Sequence, residues 1–192
     1  NAGYAGKTLY NGWAANNIKS KVTDAFATEI LIIGFGLNDV ANSDFTADKY
    51  LIELKKIVGY AISRNIVPII LTPNYNANEP WRSNYKLFAT VINSIIEYCK
   101  ADNILCVDVH KDLQKAFSSS TKVTTAFGYI APDTLHYNNY GYGLVASSIV
   151  ANLVANVFIV DDYTKITPEM GNIYRASEAT TQYYNHNLAG IG

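Results

Sequence analysis

The sequence predicts an α/β domain: a three-layer sandwich in which helices cover both faces of a parallel sheet. Three observations predict it. Residues 30–34 and 66–72 are continuous apolar runs without alternation, the signature of strands buried on both faces. Longer stretches between and beyond them carry apolar residues at three- and four-residue steps, the period of a helix with one buried face. The two kinds of segment alternate along the chain, and alternation of strand and helix implies parallel strands joined by crossover helices.

Composition narrows the function. A chain of 192 residues, 49% hydrophobic, fits one domain of ordinary size with a possible appendage. A net charge of −1 argues against nucleic acid, whose recognition wants a basic patch. No apolar run approaches the ~20 residues of a membrane span. The opening Asn1-Ala2-Gly3-Tyr4 has neither an initiator Met nor a signal-peptide pattern, so the chain is expected to be part of a longer protein. Cys99 and Cys106 read as buried thiols rather than a disulfide framework. The 15 tyrosines, with abundant Asn, suit sugar-facing or interface surfaces.

Residues 1–8 form a loop punctuated by Gly3 and Gly6, where the backbone can turn tightly or approach a ligand. The loop lacks the spacing of a phosphate-binding loop. A helix follows over 11–27, with Trp13, Ala14, Ile18, Val22 and Phe26 on its inner stripe. The Ile-rich strand at 30–34 reads as the central strand. The second helix spans 46–63, its core positions being Tyr50, Leu51, Leu54, Ile57, Val58 and Ala61, with Ser43 or Asp44 available as a cap.

In the strand at 66–72, Pro68 must sit near the start, because proline cannot donate to the ladder. The Asn-rich loop 73–80 leaves its carboxyl end and is a candidate substrate-facing loop. The third helix covers 81–99, with Leu87, Phe88, Val91, Ile95 and Ile96 inward. A strand at 103–109, a short helix at 111–117 and a Ser/Thr-rich loop at 118–125 follow. The last helix starts at Asn138 or Asn139 and buries Leu144, Val145, Ile149, Val150, Leu153 and Val157. Beyond about residue 159 the pattern fades. Residues 1–158 are expected to form the domain, and 159–192 an extension or a linker to a further module.

Two short motifs carry chemistry. Gly36-Leu37-Asn38-Asp39 follows the Ile-rich strand, and ligand chemistry in open α/β sheets sits beyond the carboxyl ends of strands. A side-chain amide there can donate to a substrate oxygen, although Asn-Asp pairs also make ordinary turns. Asp133-Thr134-Leu135-His136 precedes the last helix. A carboxylate bonded to one imidazole nitrogen fixes the tautomer and leaves the other nitrogen to take a proton. The bland reading of that pair is an exposed loop. Asp108 and His110, at a strand end, could join His136 around a metal, but no ligand spacing supports it and a structural role is preferred. His186 reads as a surface residue.

Taken together and in order, these motifs resemble the SGNH hydrolase family, also called GDSL esterases or lipases, over residues 1–158. The family's Gly-x-Asn-Asp block is matched by Gly36, Leu37, Asn38 and Asp39. Its Asp-x-x-His block is matched by Asp133 and His136, with Tyr137 where a Pro often stands and Asn138 and Gly141 matching beyond. The loop 1–8 resembles the block that contributes a Gly, here Gly6.

The resemblance implies that His136 is general base and acid, that Asp133 orients it, and that the Asn38 amide and the Gly6 N–H form an oxyanion hole. Gly36 and Asp39 support the loop. No metal or other cofactor is implied. The family's Gly-Asp-Ser block, which carries the nucleophile on the first strand, is absent. The Ser is therefore expected upstream of residue 1, or on a separate cleaved chain. The implied activity is a serine esterase removing a short acyl group, acetyl by preference, from a carbohydrate. Open Asn- and Tyr-rich loops and the lack of an apolar lid favour that substrate. The alternative is a non-catalytic binding or structural module. Phage tail proteins and secreted carbohydrate esterases are hosts of such domains. They suggest an extracellular or virion-surface setting, an acetylated polysaccharide as partner, and oligomer contacts through the C-terminal extension.

Overall fold

The apolar runs pair as a parallel sheet. A computed structural model of the chain describes residues 6–22, 28–76, 84–118 and 136–157, with backbone alone at 117–118 and 154–157. Its elements run α1 (Trp13–Lys21), β1 (Ile30–Gly34), α2 (Ala47–Ser63), β2 (Val67–Leu71), α3 (Tyr85–Ala101), β3 (Leu105–Val107), α4 (Val109–Ser118) and α5 (Asn139–Val157). The strand order is β1-β2-β3. Ile30 faces Val67 and Gly34 faces Leu71, while Ile69 faces Leu105 and Leu71 faces Val107.

This register sorts the side chains into two faces, because strand residues alternate. Ile33 and Ile70, with Leu31 and Cys106 beside them, look toward α1, α2 and α3. There they meet Leu54, Ile57, Val58, Phe88, Val91 and Ile95 in the main core. Ile69, Leu71 and Val107 look the other way, onto α4 and α5, where Leu113, Leu144, Val145, Ile149 and Leu153 cover them. Each fully buried Leu, Ile or Val contributes about 1.5–3 kcal/mol by leaving water. The two clusters therefore hold helices on both faces of the sheet. All three strands point their carboxyl ends to one edge, and the loop that carries Gly36, Leu37, Asn38 and Asp39 lies there.

β1 departs from expectation. It is an edge strand among the described residues, not a central one, and only one of its faces is covered. Ile30 is 53% exposed, Ile32 49%, and Val67 beside them on β2 54%. The physical reason is that α4 and α5 pack over β2 and β3 and stop short of β1. No described strand bonds the outer edge of β1.

Local signals account for most element ends. The N-cap of α2 is Thr46, whose hydroxyl accepts from the Lys49 N–H at 3.2 Å. Ser43 and Asp44 lie too early, and Asp44 instead accepts from the Tyr10 hydroxyl at 2.7 Å. Asn138 caps α5, its side-chain oxygen accepting from the N–H groups of Tyr140 and Gly141 at 3.0 and 3.1 Å. Val150 on α5 is 41% exposed, because the helix turns its Ile149 and Leu153 side inward instead. α1 ends at Lys21, and Val22 is its buried C-cap. Phe26, loop residues 77–80, Trp81, the 119–125 stretch, Val157's side chain and everything from 158 onward, His186 included, lie outside the described residues.

Candidate active site

The site begins where β1 ends. Gly36 has φ +126°, a backbone region that side chains rarely adopt, and a Cβ there would lie 2.3 Å from Pro73 Cγ. Only glycine lets the β1 loop lie this close to the segment leaving β2. The chain then turns through Leu37 and Asn38 to Asp39, which is fully buried.

The Asp39 carboxylate accepts from the N–H groups of Leu9 at 2.7 Å, Tyr10 at 2.8 Å and Gly36 at 3.1 Å. One side chain thereby staples the loop after β1 to the loop before α1. Burial pushes its carboxyl above the usual carboxylate range, and the N–H bonds from Tyr10, Leu9 and Gly36 pull it back toward the charged form.

That staple brings Asn38 and Gly6 into one neighbourhood. Asn38 Nδ2 leans on the carbonyl of Lys7, the residue next to Gly6, at 3.3 Å. A carboxamide has two N–H donors, so this long contact leaves donor capacity in hand. The Asn38 carbonyl accepts from Asn42 Nδ2 at 2.6 Å, which fixes the start of the turn. Gly6 has φ +69° with open space on its Cβ side, is exposed, and enters no hydrogen bond among the described residues. The arrangement places the Asn38 amide beside the Gly6–Lys7 backbone.

His136 is exposed and stands just before α5. Its neighbour Tyr137 is buried, and the Tyr137 hydroxyl donates to the carbonyl of Tyr75, on the segment that leaves β2. The chain at His136 thus runs close to the segment leaving β2, against whose Pro73 the Gly36 backbone lies. Asp133, assigned from sequence as the group orienting His136, lies outside the described residues, as does Gly3.

Asp108 and His110 form a separate cluster beyond β3. The Thr72 hydroxyl donates to Asp108 Oδ1 at 3.0 Å and accepts from the His110 N–H at 3.0 Å. Asp108 Oδ1 also accepts from the Lys111 N–H at 3.2 Å. His110 sits in the first turn of α4 rather than at a strand end, and its Nδ1 donates to the Pro73 carbonyl at 3.0 Å. Burial holds its imidazole below the ordinary histidine range, against the opposing pull of that carbonyl and of Asp108. Among the described residues no group of His, Cys, Asp and Glu has the make-up of a metal site.

Sequence reasoning missed Thr72, Tyr75 and Tyr137 as organisers of this edge. Thr72 carried a weak signal, a hydroxyl ending an otherwise apolar strand. Tyr137 carried one too, since it replaces a proline in the motif it otherwise matches.

The GDSL-like Lipase/Acylhydrolase family model matches residues 1–149 of the chain. Among solved structures, the chain resembles the lipase/acylhydrolase from Enterococcus faecalis at 21% identity and a TM-score of 0.55, over 79% of this chain and 72% of that one. It resembles a GDSL-like lipase from Bacteroides thetaiotaomicron VPI-5482 at 20% identity and TM-score 0.60, over 78% and 73%. It also resembles an acetylxylan esterase from Geobacillus stearothermophilus at 20% identity and TM-score 0.58, over 77% and 68%. Likeness at such identities is one of fold. Comparison with curated protein sequences finds no match.

Proposed function

Because this chain belongs to the GDSL-like lipase/acylhydrolase family, we propose that it forms most of a serine esterase that removes a short acyl group, acetyl by preference, from a carbohydrate. The observation that carries the reading is the Asp39 staple, which sets the Asn38 amide beside the Gly6–Lys7 backbone at the carboxyl edge of the sheet. The nucleophilic Ser comes from outside residues 1–192. The outer edge of β1, which no described strand bonds, and the exposed Ile30 and Ile32 beside it support a further strand there, since an open edge and exposed apolar residues are costly to leave.

In this reading the Ser hydroxyl attacks the ester carbonyl carbon as the His136 imidazole takes its proton. Asp133 orients that imidazole. The oxyanion accepts hydrogen bonds from Asn38 Nδ2 and the Gly6 N–H. Collapse expels the sugar alcohol, protonated by His136. Water then attacks the acyl-enzyme by the same route, releasing the acid and restoring Ser. The acetylxylan esterase among the structural neighbours supports a carbohydrate acetate as substrate. A virion or extracellular surface is where such polymers are met.

The test is a chain extended upstream through its natural sequence and assayed on p-nitrophenyl acetate and acetylated xylo-oligosaccharides. His136→Ala should cut kcat by at least ~1000-fold. Asn38→Ala should cut it by ~100-fold with KM little changed. Turnover that survives His136→Ala within a factor of about two refutes the assignment of the base. An extended chain with an intact fold and no turnover on any ester points to the binding module instead.

A further inference from the structure

A cleft of about 680 Å³ opens at the carboxyl edge of the sheet, between the first half of α3 and the start of α4. It lies where β2 and β3 end, lined by Tyr75 and Asn76 after β2 and by Asp108 and His110 after β3. Tyr75, Tyr85, Phe88, Asn93, His110 and Gln114 contribute to its walls. Nothing in the ester chemistry uses these residues.

We propose that this cleft is a subsite for a neutral sugar unit, on the alcohol side of the ester. The proposal rests on the carbohydrate-esterase reading above and names where the rest of the glycan is held. Four observations carry it.

The volume lies within the range of small-molecule sites, roughly 300–1000 Å³. The walls mix ring faces with amides: Tyr75 and Phe88 flank His110 at centroid distances of 5.3 and 5.6 Å, and Tyr85 is exposed at the rim. Sugars present the matching mixture, C–H faces for aromatic rings and hydroxyls for polar groups. A purely aliphatic acyl tail would strand Asn93, Gln114 and the imidazole without partners, which is costly.

The third observation is the His110 tautomer. Nδ1 donates to the Pro73 carbonyl, so in the neutral ring Nε2 carries the lone pair. Nε2 bonds no described residue, and it is the acceptor that His110 can offer to a hydroxyl in the cleft. Finally, charge does not select an ion. Asp108 is engaged by Thr72 and the Lys111 N–H, and the exposed Lys111 side chain balances it. Tyr75 ties the cleft to the ester site, since its carbonyl receives the hydroxyl of Tyr137, next to His136.

The experiment titrates the upstream-extended chain with xylotriose, cellotriose and octanoate, following the His110 imidazole nitrogens by NMR and the heat of binding by calorimetry. A trisaccharide should bind with a Kd in the millimolar range and shift the Nε2 resonance more than the Nδ1 resonance. Tyr85→Ala and Asn93→Ala, both exposed positions that leave the core intact, should each raise that Kd about fivefold. No trisaccharide binding up to about 50 mM overturns the subsite, as does octanoate shifting Nε2 where the trisaccharides do not. The ester reading is scored separately by p-nitrophenyl acetate turnover in the upstream-extended enzyme. Turnover without sugar binding removes the subsite alone, and sugar binding without turnover removes the esterase alone.

Discussion

Asp39 and Asp108 do similar work in unlike surroundings. Each follows a strand at the carboxyl edge of the sheet, and each accepts hydrogen bonds that join segments distant in sequence. Asp39 is fully buried and receives three backbone N–H groups, two of them from residues 29 and 30 positions away. Asp108 is half-buried and receives one hydroxyl and one N–H. Water can replace what Asp108 holds. It cannot reach what Asp39 holds. The loops beside Asn38 and Gly6 are therefore set by a dry anchor, while the β3 end of the same edge is set by a wet one.

Breaking the dry anchor should have the larger effect. Asp39→Ala leaves the Leu9, Tyr10 and Gly36 N–H groups without their acceptor, and a stranded buried donor costs about 1–3 kcal/mol. Allowing for relaxation, the expected loss is about 4 kcal/mol, or a fall in Tm of roughly 10 °C for a domain of this size, measured by thermal unfolding. Asp39→Asn sharpens the point. Its oxygen can keep the Leu9 and Tyr10 bonds while its NH2 meets the Gly36 N–H, so it should lose about half as much.

Asp108→Ala, by contrast, should cost only about 1 kcal/mol, since solvent takes over from the missing carboxylate. If the two alanine variants melt together, the distinction between a dry and a wet anchor is wrong.

The same contrast explains what the sequence revealed. The strands and most helix stripes were legible because they are local: Ile30–Gly34 has no alternation, and α2 repeats its apolar residues at helical steps. The position of β1 within the sheet was not legible, since it depends on which strand bonds its outer edge, and that is a non-local fact. The α2 cap was misplaced from the same cause. Asp44 has the right chemistry, but Tyr10, 34 residues away, takes its carboxylate and leaves the cap to Thr46. At the site, Gly36-Leu37-Asn38-Asp39 was readable as a motif. The reason for its glycine, a 2.3 Å clash with Pro73 that any Cβ would make, needed the register of β1 against β2. The Thr72–Asp108–His110 network was invisible because its partners lie 36 and 38 residues apart.

The smallest effect expected concerns the histidine that the wet anchor helps to position. Burial lowers the His110 pKa from its ordinary value near 6.5. As pH falls through 6.5, the unfolded chain takes up a proton at this residue that the native state still refuses. The unfolded state then binds more protons, so this group's contribution to stability falls with falling pH, over the window from 6.5 down to its lowered native value. The loss ends once the native imidazole also protonates. Replacing the ring by a group that cannot titrate should flatten the curve, and His110→Asn keeps a donor for the Pro73 carbonyl. Unfolding free energies at pH 7.5 and 5.5 should therefore differ less in His110→Asn than in the wild-type chain, by a few tenths to about 1 kcal/mol. A pH slope unchanged by the substitution would mean that the imidazole beyond β3 is as wet as the carboxylate beside it.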